Sequence, residues 1–174
     1  MKIAFIGKIC SGKSTLAQYL KDNHNYDILS FGEPVKRYAK DIFGLDNKNR
    51  IIIQDFAQKV KEIDFDVWVK YLIRNFKNIS NTNIVIDDLR FPNEYKALKN
   101  ENFVFIKLDI DKELQVKRIK KIYKDSWETH IQRLDNISES YIDKLDADFT
   151  IKIENDTFSI EPILNEIFNH IKNN

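Results

Sequence analysis

Residues 2–20 read K-I-A-F-I-G-K-I-C-S-G-K-S-T-L-A-Q-Y-L. The opening run, Lys2 to Gly7, is apolar with almost no polar relief, the pattern of a strand buried on both faces in a parallel sheet. From Lys13 onward Leu16, Ala17 and Leu20 recur at helical spacing. Between strand and helix stands G-K-I-C-S-G-K-S, Gly7 to Ser14, a full match to G-x-x-x-x-G-K-[ST]. Each residue type has a physical reason. Glycines let the backbone turn so that successive N–H groups face inward. The helix N-terminus adds positive potential for phosphate. Lys13 can reach the β- and γ-phosphates, and the Ser14 hydroxyl can ligate Mg²⁺. Average usage of about 7% predicts about 12 glycines in a chain this long. There are 4, and two of them stand in this octet. Gly7, Lys8, Ile9, Cys10, Ser11, Gly12, Lys13, Ser14 and Thr15 are accordingly read as an ATP-binding loop.

Strands and helices alternate onward from this loop. Tyr26 to Ser30 reads as a second short strand, and Glu33 to Phe43 as a helix with Pro34 in its first turn, where proline is tolerated. Arg50 to Lys61 and Asp64 to Asn78 read as two helices; in the second, Phe65, Trp68, Val69, Leu72, Ile73 and Phe76 form one apolar stripe. Asn83 to Asp87 is another apolar strand, and it ends in the carboxylates Asp87 and Asp88. Pro92 to Glu101 is a helix, Phe103 to Leu108 a strand, and Lys112 to Lys124 a basic helix. Lys124 to Ile137 is polar and ambiguous; Ser138 to Lys144 is a short helix, Phe149 to Ile153 a last strand, and Ile160 to Lys172 a closing helix. This alternation predicts an α/β three-layer fold with a central, mainly parallel five-stranded sheet flanked by helices, all in one domain over residues 1–174.

Composition narrows the classes. The chain has 174 residues, 43% hydrophobic and 12% aromatic, enough for one core and too much for a disordered chain. Lys plus Arg number 28 against 27 Asp plus Glu, a net charge of +1. That balance excludes a strongly basic nucleic-acid coat protein and an acidic tail. The one cysteine, Cys10, excludes a disulfide framework and a cysteine-built zinc site, and fits a reducing compartment. Met1 to Gly7 is too short for the apolar region of a signal peptide, and no stretch reaches the roughly 18 apolar residues of a spanning helix. A cytoplasmic protein is expected. Arginine is scarce among abundant lysine, so Arg37, Arg50, Arg74, Arg90, Arg118 and Arg133 stand out as candidates for a fork of donors.

The run I-V-I-D-D over Ile84 to Asp88 has the form of a Walker B element, whose carboxylate serves the Mg²⁺ shell, and Asp87 is assigned there. The segment D-L-R-F-P-N-E over Asp88 to Glu94 resembles the D-x-R-x-x-x-E signature of phage-type deoxynucleoside monophosphate kinases. F-G-E-P-V-K over Phe31 to Lys36 is similar to their motif after the second strand. R-I-I-I-Q over Arg50 to Gln54 is similar to their R-x-x-x-Q helix, and D-V-W-V-K over Asp66 to Lys70 to their aromatic segment. I-S-E over Ile137 to Glu139, followed by A-D-F-T-I from Ala147, resembles their final helix and strand. The matches fall in the same order along most of the chain. Animal-type phosphomevalonate kinases look similar in several of these places.

The resemblance implies a P-loop kinase fold that adds a helical acceptor-binding region over about 33–78 and a lid over about 124–137. It implies ATP with Mg²⁺ as cofactors, and transfer of a phosphoryl group to a nucleoside monophosphate. Lys13, Asp88, Arg90, Arg118 and Arg133 are the catalytic residues it implies. Lys36, Arg50, Gln54, Trp68, Asp88, Arg90 and Glu94 are its substrate-binding residues. Ser14 and Asp87 would face the metal. The partners are small molecules, with neither a membrane nor nucleic acid among them, and a homodimer is compatible with this reading. Two alternatives stay open: a phosphomevalonate-like or other small-molecule kinase, and a nucleic-acid-associated P-loop ATPase. Trp68 also falls on the apolar stripe and can be core. Arg118 and Arg133 can belong to a solvated basic surface.

Overall fold

Strand β1 (Lys2–Gly7) sends alternate side chains to opposite faces. Ile3 and Phe5 enter one core, with Leu16, Ala17 and Leu20 of helix α1 (Lys13–His24) and Leu164 and Ile167 of helix α9 (Ile160–Lys172). Ala4 and Ile6 enter the other, with Val69, Leu72 and Phe76 of helix α4 (Val67–Phe76) and Leu98 of helix α5 (Pro92–Asn100). A strand apolar from Ile3 to Ile6 is thereby buried on both sides, as a parallel sheet between helical layers requires.

The computed structural model describes residues 1–44, 49–132, 134, 137–155 and 160–172, and for residues 50, 137–139 and 172 the backbone alone. The sheet has five strands in the order β2-β3-β1-β4-β5. Strand β2 is Asp27–Leu29, β3 Ile84–Ile86, β4 Val104–Ile110 and β5 Phe149–Ile153. Every pair is parallel: Lys2 lies opposite Ile84 on one side of β1, and Gly7 opposite Leu108 on the other. The expected five-stranded, helix-flanked sheet is therefore present, with no antiparallel pair in it.

Helices α2 (Gly32–Phe43) and α3 (Arg50–Ile63) precede α4 and build the region between β2 and β3. Helix α6 (Lys112–Ile122) follows β4, opened by Asp111, whose side chain accepts from the Glu113 and Leu114 N–H groups. The polar stretch after Lys124 contains helix α7 (Trp127–Gln132), which buries His130 against the Tyr123 ring, with centroids 3.7 Å apart. Helix α8 (Ile137–Ile142) precedes β5. Among the described residues no helix is long and apolar enough to cross a membrane.

Candidate active site

The carboxyl ends of β1 and β3 lie side by side, and the loops that leave them build the site. Gly7 closes β1 where space is shortest: a Cβ there would stand 2.8 Å from the Leu108 carbonyl oxygen and 2.7 Å from Ser11 Oγ. The loop then turns tightly. The Ser11 N–H donates to the Lys8 carbonyl at 3.2 Å, and Cys10 and Gly12 take left-handed backbone angles, with φ of 63° and 105°. Lys13 Nζ donates to the carbonyl oxygens of Gly7 at 2.6 Å and Lys8 at 2.8 Å, folded back across the loop.

Helix α6 holds the outer side of this loop. Gln115 Nε2 donates to the Ile9 carbonyl at 3.0 Å, and Arg118 donates to the Cys10 carbonyl at 3.2 Å and the Asn155 carbonyl at 2.8 Å. A cleft of about 790 Å³ opens over the loop, bounded by Ile9, Cys10 and Gly12 to Thr15, by Asp87, Asp88 and Arg90, and by Arg118, Lys121, Ile122 and Tyr123.

Asp88 does more than border the cleft. Its carboxylate accepts from the Ser30 hydroxyl at 2.7 Å, the Phe31 N–H at 3.0 Å and the Gly32 N–H at 2.9 Å, so it caps the start of α2 from another strand. Glu94 closes the first turn of α5, accepting from the N–H groups of Arg90 at 2.9 Å and Phe91 at 3.0 Å. Burial pushes its carboxyl up to about 7 in spite of those donors.

A second, smaller cavity of about 210 Å³ begins where the first ends and shares Asp88 and Arg90 with it. Its walls are aromatic: Phe31, Phe65, Trp68 and Phe91. Val35, Ala57 and Val69 complete the apolar surface, and Lys61, Asn93 and Glu94 bring polar groups. Trp68 is 7% exposed and donates its Nε1–H to the Ala57 carbonyl at 3.3 Å, so it is both core and wall.

The residues expected from sequence thus divide. Lys13, Ser14, Asp87, Asp88, Arg90 and Arg118 meet in the phosphate-loop cleft, and Trp68, Asp88, Arg90 and Glu94 meet in the aromatic pocket. Lys36 and Gln54 are exposed and line neither cavity, because α2 turns Pro34, Val35 and Ala39 inward and α3 leaves Gln54 on its outer face. The Arg50 side chain, the side chains of Ser138 and Glu139, and all of Arg133 lie outside the described residues. Sequence reasoning missed Phe65, Phe91 and Asn93 as pocket walls; Phe91 and Asn93 stand inside the D-x-R-x-x-x-E segment, which was the available signal. Among the described residues no three His, Cys, Asp or Glu side chains cluster as a metal site.

A phosphate loop leaving the central strand of a five-stranded parallel sheet of order β2-β3-β1-β4-β5, with helices on both faces, is the fold of the P-loop kinases. The model of the AAA domain family matches residues 3–143, and the chain belongs to that family. No curated protein sequence matches the chain. Among solved structures, TT1252 from Thermus thermophilus is similar with a TM-score of 0.66 at 15% identity, over 97% of this chain and 96% of that one. Shikimate kinase from Aquifex aeolicus vf5 gives 0.58 at 22% identity, over 99% and 96%. Shikimate kinase from Acinetobacter baumannii, in complex with shikimate, gives 0.61 at 16% identity, over 99% and 93%. At these identities the likeness is one of fold.

Proposed function

We propose that the chain transfers the γ-phosphoryl group of ATP to the phosphate of a nucleoside monophosphate, a deoxynucleotide foremost. The observation that carries this reading is the junction of the two cavities: the phosphate-loop cleft and the aromatic pocket meet at Arg90 and Asp88. A donor phosphate held by the loop would face an acceptor phosphate at Arg90, with the acceptor's planar base among Phe31, Phe65, Trp68 and Phe91.

The acceptor oxygen is already anionic, so this transfer needs no general base. It needs neutralised charge, alignment and a dry site. Lys13, on leaving its carbonyl partners, supplies a point charge to the donor phosphates. Arg90 supplies a guanidinium fork to the acceptor. Arg118, at the cleft wall, would add charge as the 124–137 segment closes as a lid.

Mg²⁺ fits the donor set present, since the Ser14 hydroxyl and the Asp87 carboxylate are hard oxygen ligands on the same cleft. Asp88 is committed to three donors around α2, which leaves Asp87 as the carboxylate for the ion's shell. When bound, the ion would neutralise charge on the donor phosphates. Helices α2 to α4 would serve as the acceptor-binding region, because Val35, Ala57, Phe65 and Trp68 come from them and the α3–α4 turn.

A coupled ADP-release assay across deoxynucleoside and ribonucleoside monophosphates, phosphomevalonate and shikimate tests the reading. Fastest turnover is expected with a deoxynucleoside monophosphate. Turnover confined to phosphomevalonate or shikimate, or ADP release that requires added DNA, would replace this function with another.

A further inference from the structure

Helix α6 is basic and exposed over most of its surface, yet Gln115 is 3% exposed and sits inward with Ile119. A buried amide must find partners, and Gln115 Nε2 donates to the carbonyl of Ile9, in a loop 106 residues earlier. One turn along the helix, Arg118 holds the next carbonyl, that of Cys10. These two carbonyls belong to the peptide planes on either side of the Cys10 α-carbon, so their positions define its φ and ψ. Cys10 has a φ of 63°, in the left-handed region that a residue bearing a Cβ occupies at a cost. Such a conformation persists where its surroundings over-determine it, and here two side chains of one helix do so.

We infer that Gln115 is a positioning residue of the phosphate loop: by holding the Ile9 carbonyl toward α6, it turns the Cys10 N–H the opposite way, toward the phosphate site. In a trans peptide the C=O and N–H are antiparallel, so fixing one aims the other. Successive N–H groups around a left-handed residue form the concave arrangement that binds anions. Gln115 touches no phosphate itself and acts through the backbone of Ile9 and Cys10.

This inference rests on the reading that the loop binds ATP. The test measures binding of mant-ATP with Mg²⁺ to the full chain, without acceptor, at pH 5.5 and pH 8. Gln115→Met keeps the length and loses the donor; its Kd is expected to rise about tenfold with the melting temperature nearly kept. Gln115→Glu presents a carboxylate to the Ile9 carbonyl at pH 8 and a donating carboxylic acid at pH 5.5, since burial raises a carboxyl's pKa. Its Kd, relative to wild type at the same pH, is expected to be about tenfold high at pH 8 and near one at pH 5.5. A buried charge alone would raise the Kd of Gln115→Glu at pH 8 but leave the uncharged Gln115→Met near wild type, so the two variants together separate a lost donor from a disturbed packing. Equal ratios at the two pH values, or a Gln115→Met Kd within twofold of wild type, would overturn the inference. A wild-type chain that does not bind the nucleotide would instead overturn the function proposed above, and this inference with it.

Discussion

Asp88, at the end of β3, accepts a hydrogen bond from the Ser30 hydroxyl at 2.7 Å and so ties two neighbouring strand ends together. The same carboxylate also takes the first N–H groups of α2, beside the Ser30 hydroxyl, which accepts from the Gly32 N–H at 3.2 Å and the Glu33 N–H at 3.1 Å. Asp88→Asn keeps the shape but puts an NH2 group where one carboxylate oxygen accepted, facing either the Phe31 N–H or the Ser30 hydroxyl and Gly32 N–H, and removes the charge. Hydrogen bonds to a charged acceptor contribute about 1.5–3 kcal/mol, so a loss of about 2 kcal/mol is expected from urea unfolding. A variant as stable as wild type would show that α2 starts without this tether.

Glu94 makes stability depend on pH. Burial moves its carboxyl from 4.5 to about 7, so between those values the unfolded carboxyl is ionised while the folded one keeps its proton. Stability therefore falls as pH rises through this window and levels off above it. At 1.36 kcal/mol per pKa unit the effect is about 3 kcal/mol at most. Glu94→Gln cannot ionise, and its amide oxygen can still accept from Arg90 and Phe91. The stability gap between Glu94→Gln and wild type should widen in favour of the variant from pH 5 to pH 8. A gap that stays constant would mean that Glu94 titrates at its ordinary value.

Arg90 borders both cavities, and that double position separates two roles. If its fork binds the acceptor phosphate, Arg90→Lys should keep the melting temperature and ATP affinity and lower kcat/KM for the best monophosphate more than tenfold, about 1.4 kcal/mol. If charge alone matters there, lysine will serve nearly as well.

Gly7 tests the fit of the loop against β4. Its missing Cβ would press on the Leu108 carbonyl oxygen at 2.8 Å, a backbone atom held in the sheet. Gly7→Ala should cost about 1–3 kcal/mol, as overpacking does, or several degrees of melting temperature for a chain of this size. An unchanged melting curve would show that the strand end can shift.

The legible parts of this molecule are those whose physics is local. Parallel strands buried on both faces, such as Lys2–Gly7, appear as plain apolar runs, and the glycine spacing of the loop appears as a motif. Strand β2 is Asp27–Leu29 where Tyr26–Ser30 was expected, because its one neighbour, β3, offers only Ile84–Ile86 to pair with. Helix α7 read as ambiguous because His130 is its one buried residue among those described, too few for a periodic stripe. Asp88 was legible as a site residue but not as the cap of α2, since its partners lie more than 50 residues away. Arg118 was expected at the phosphates; it borders the phosphate-loop cleft, and its guanidinium donates to the Cys10 carbonyl of the loop and to the Asn155 carbonyl beyond β5, contacts that no local pattern announces. Gln115 gave no signal, being one polar residue on a polar helix.

The order of the sheet bears on how the chain is made. Strand β1 lies at the centre, between β3 and β4, so its neighbours are Ile84–Ile86 and Val104–Ile110. During synthesis the apolar run Ile3 to Ile6 leaves the ribosome long before either neighbour exists. A nascent chain that ends before Val104 holds its phosphate loop beside an open strand edge, unable to bind nucleotide and prone to stick to other chains. Ligand binding at the loop cannot guide the early steps of folding here; it can reward only a chain that has already made β4, and a fragment ending before Val104 should be a client of chaperones.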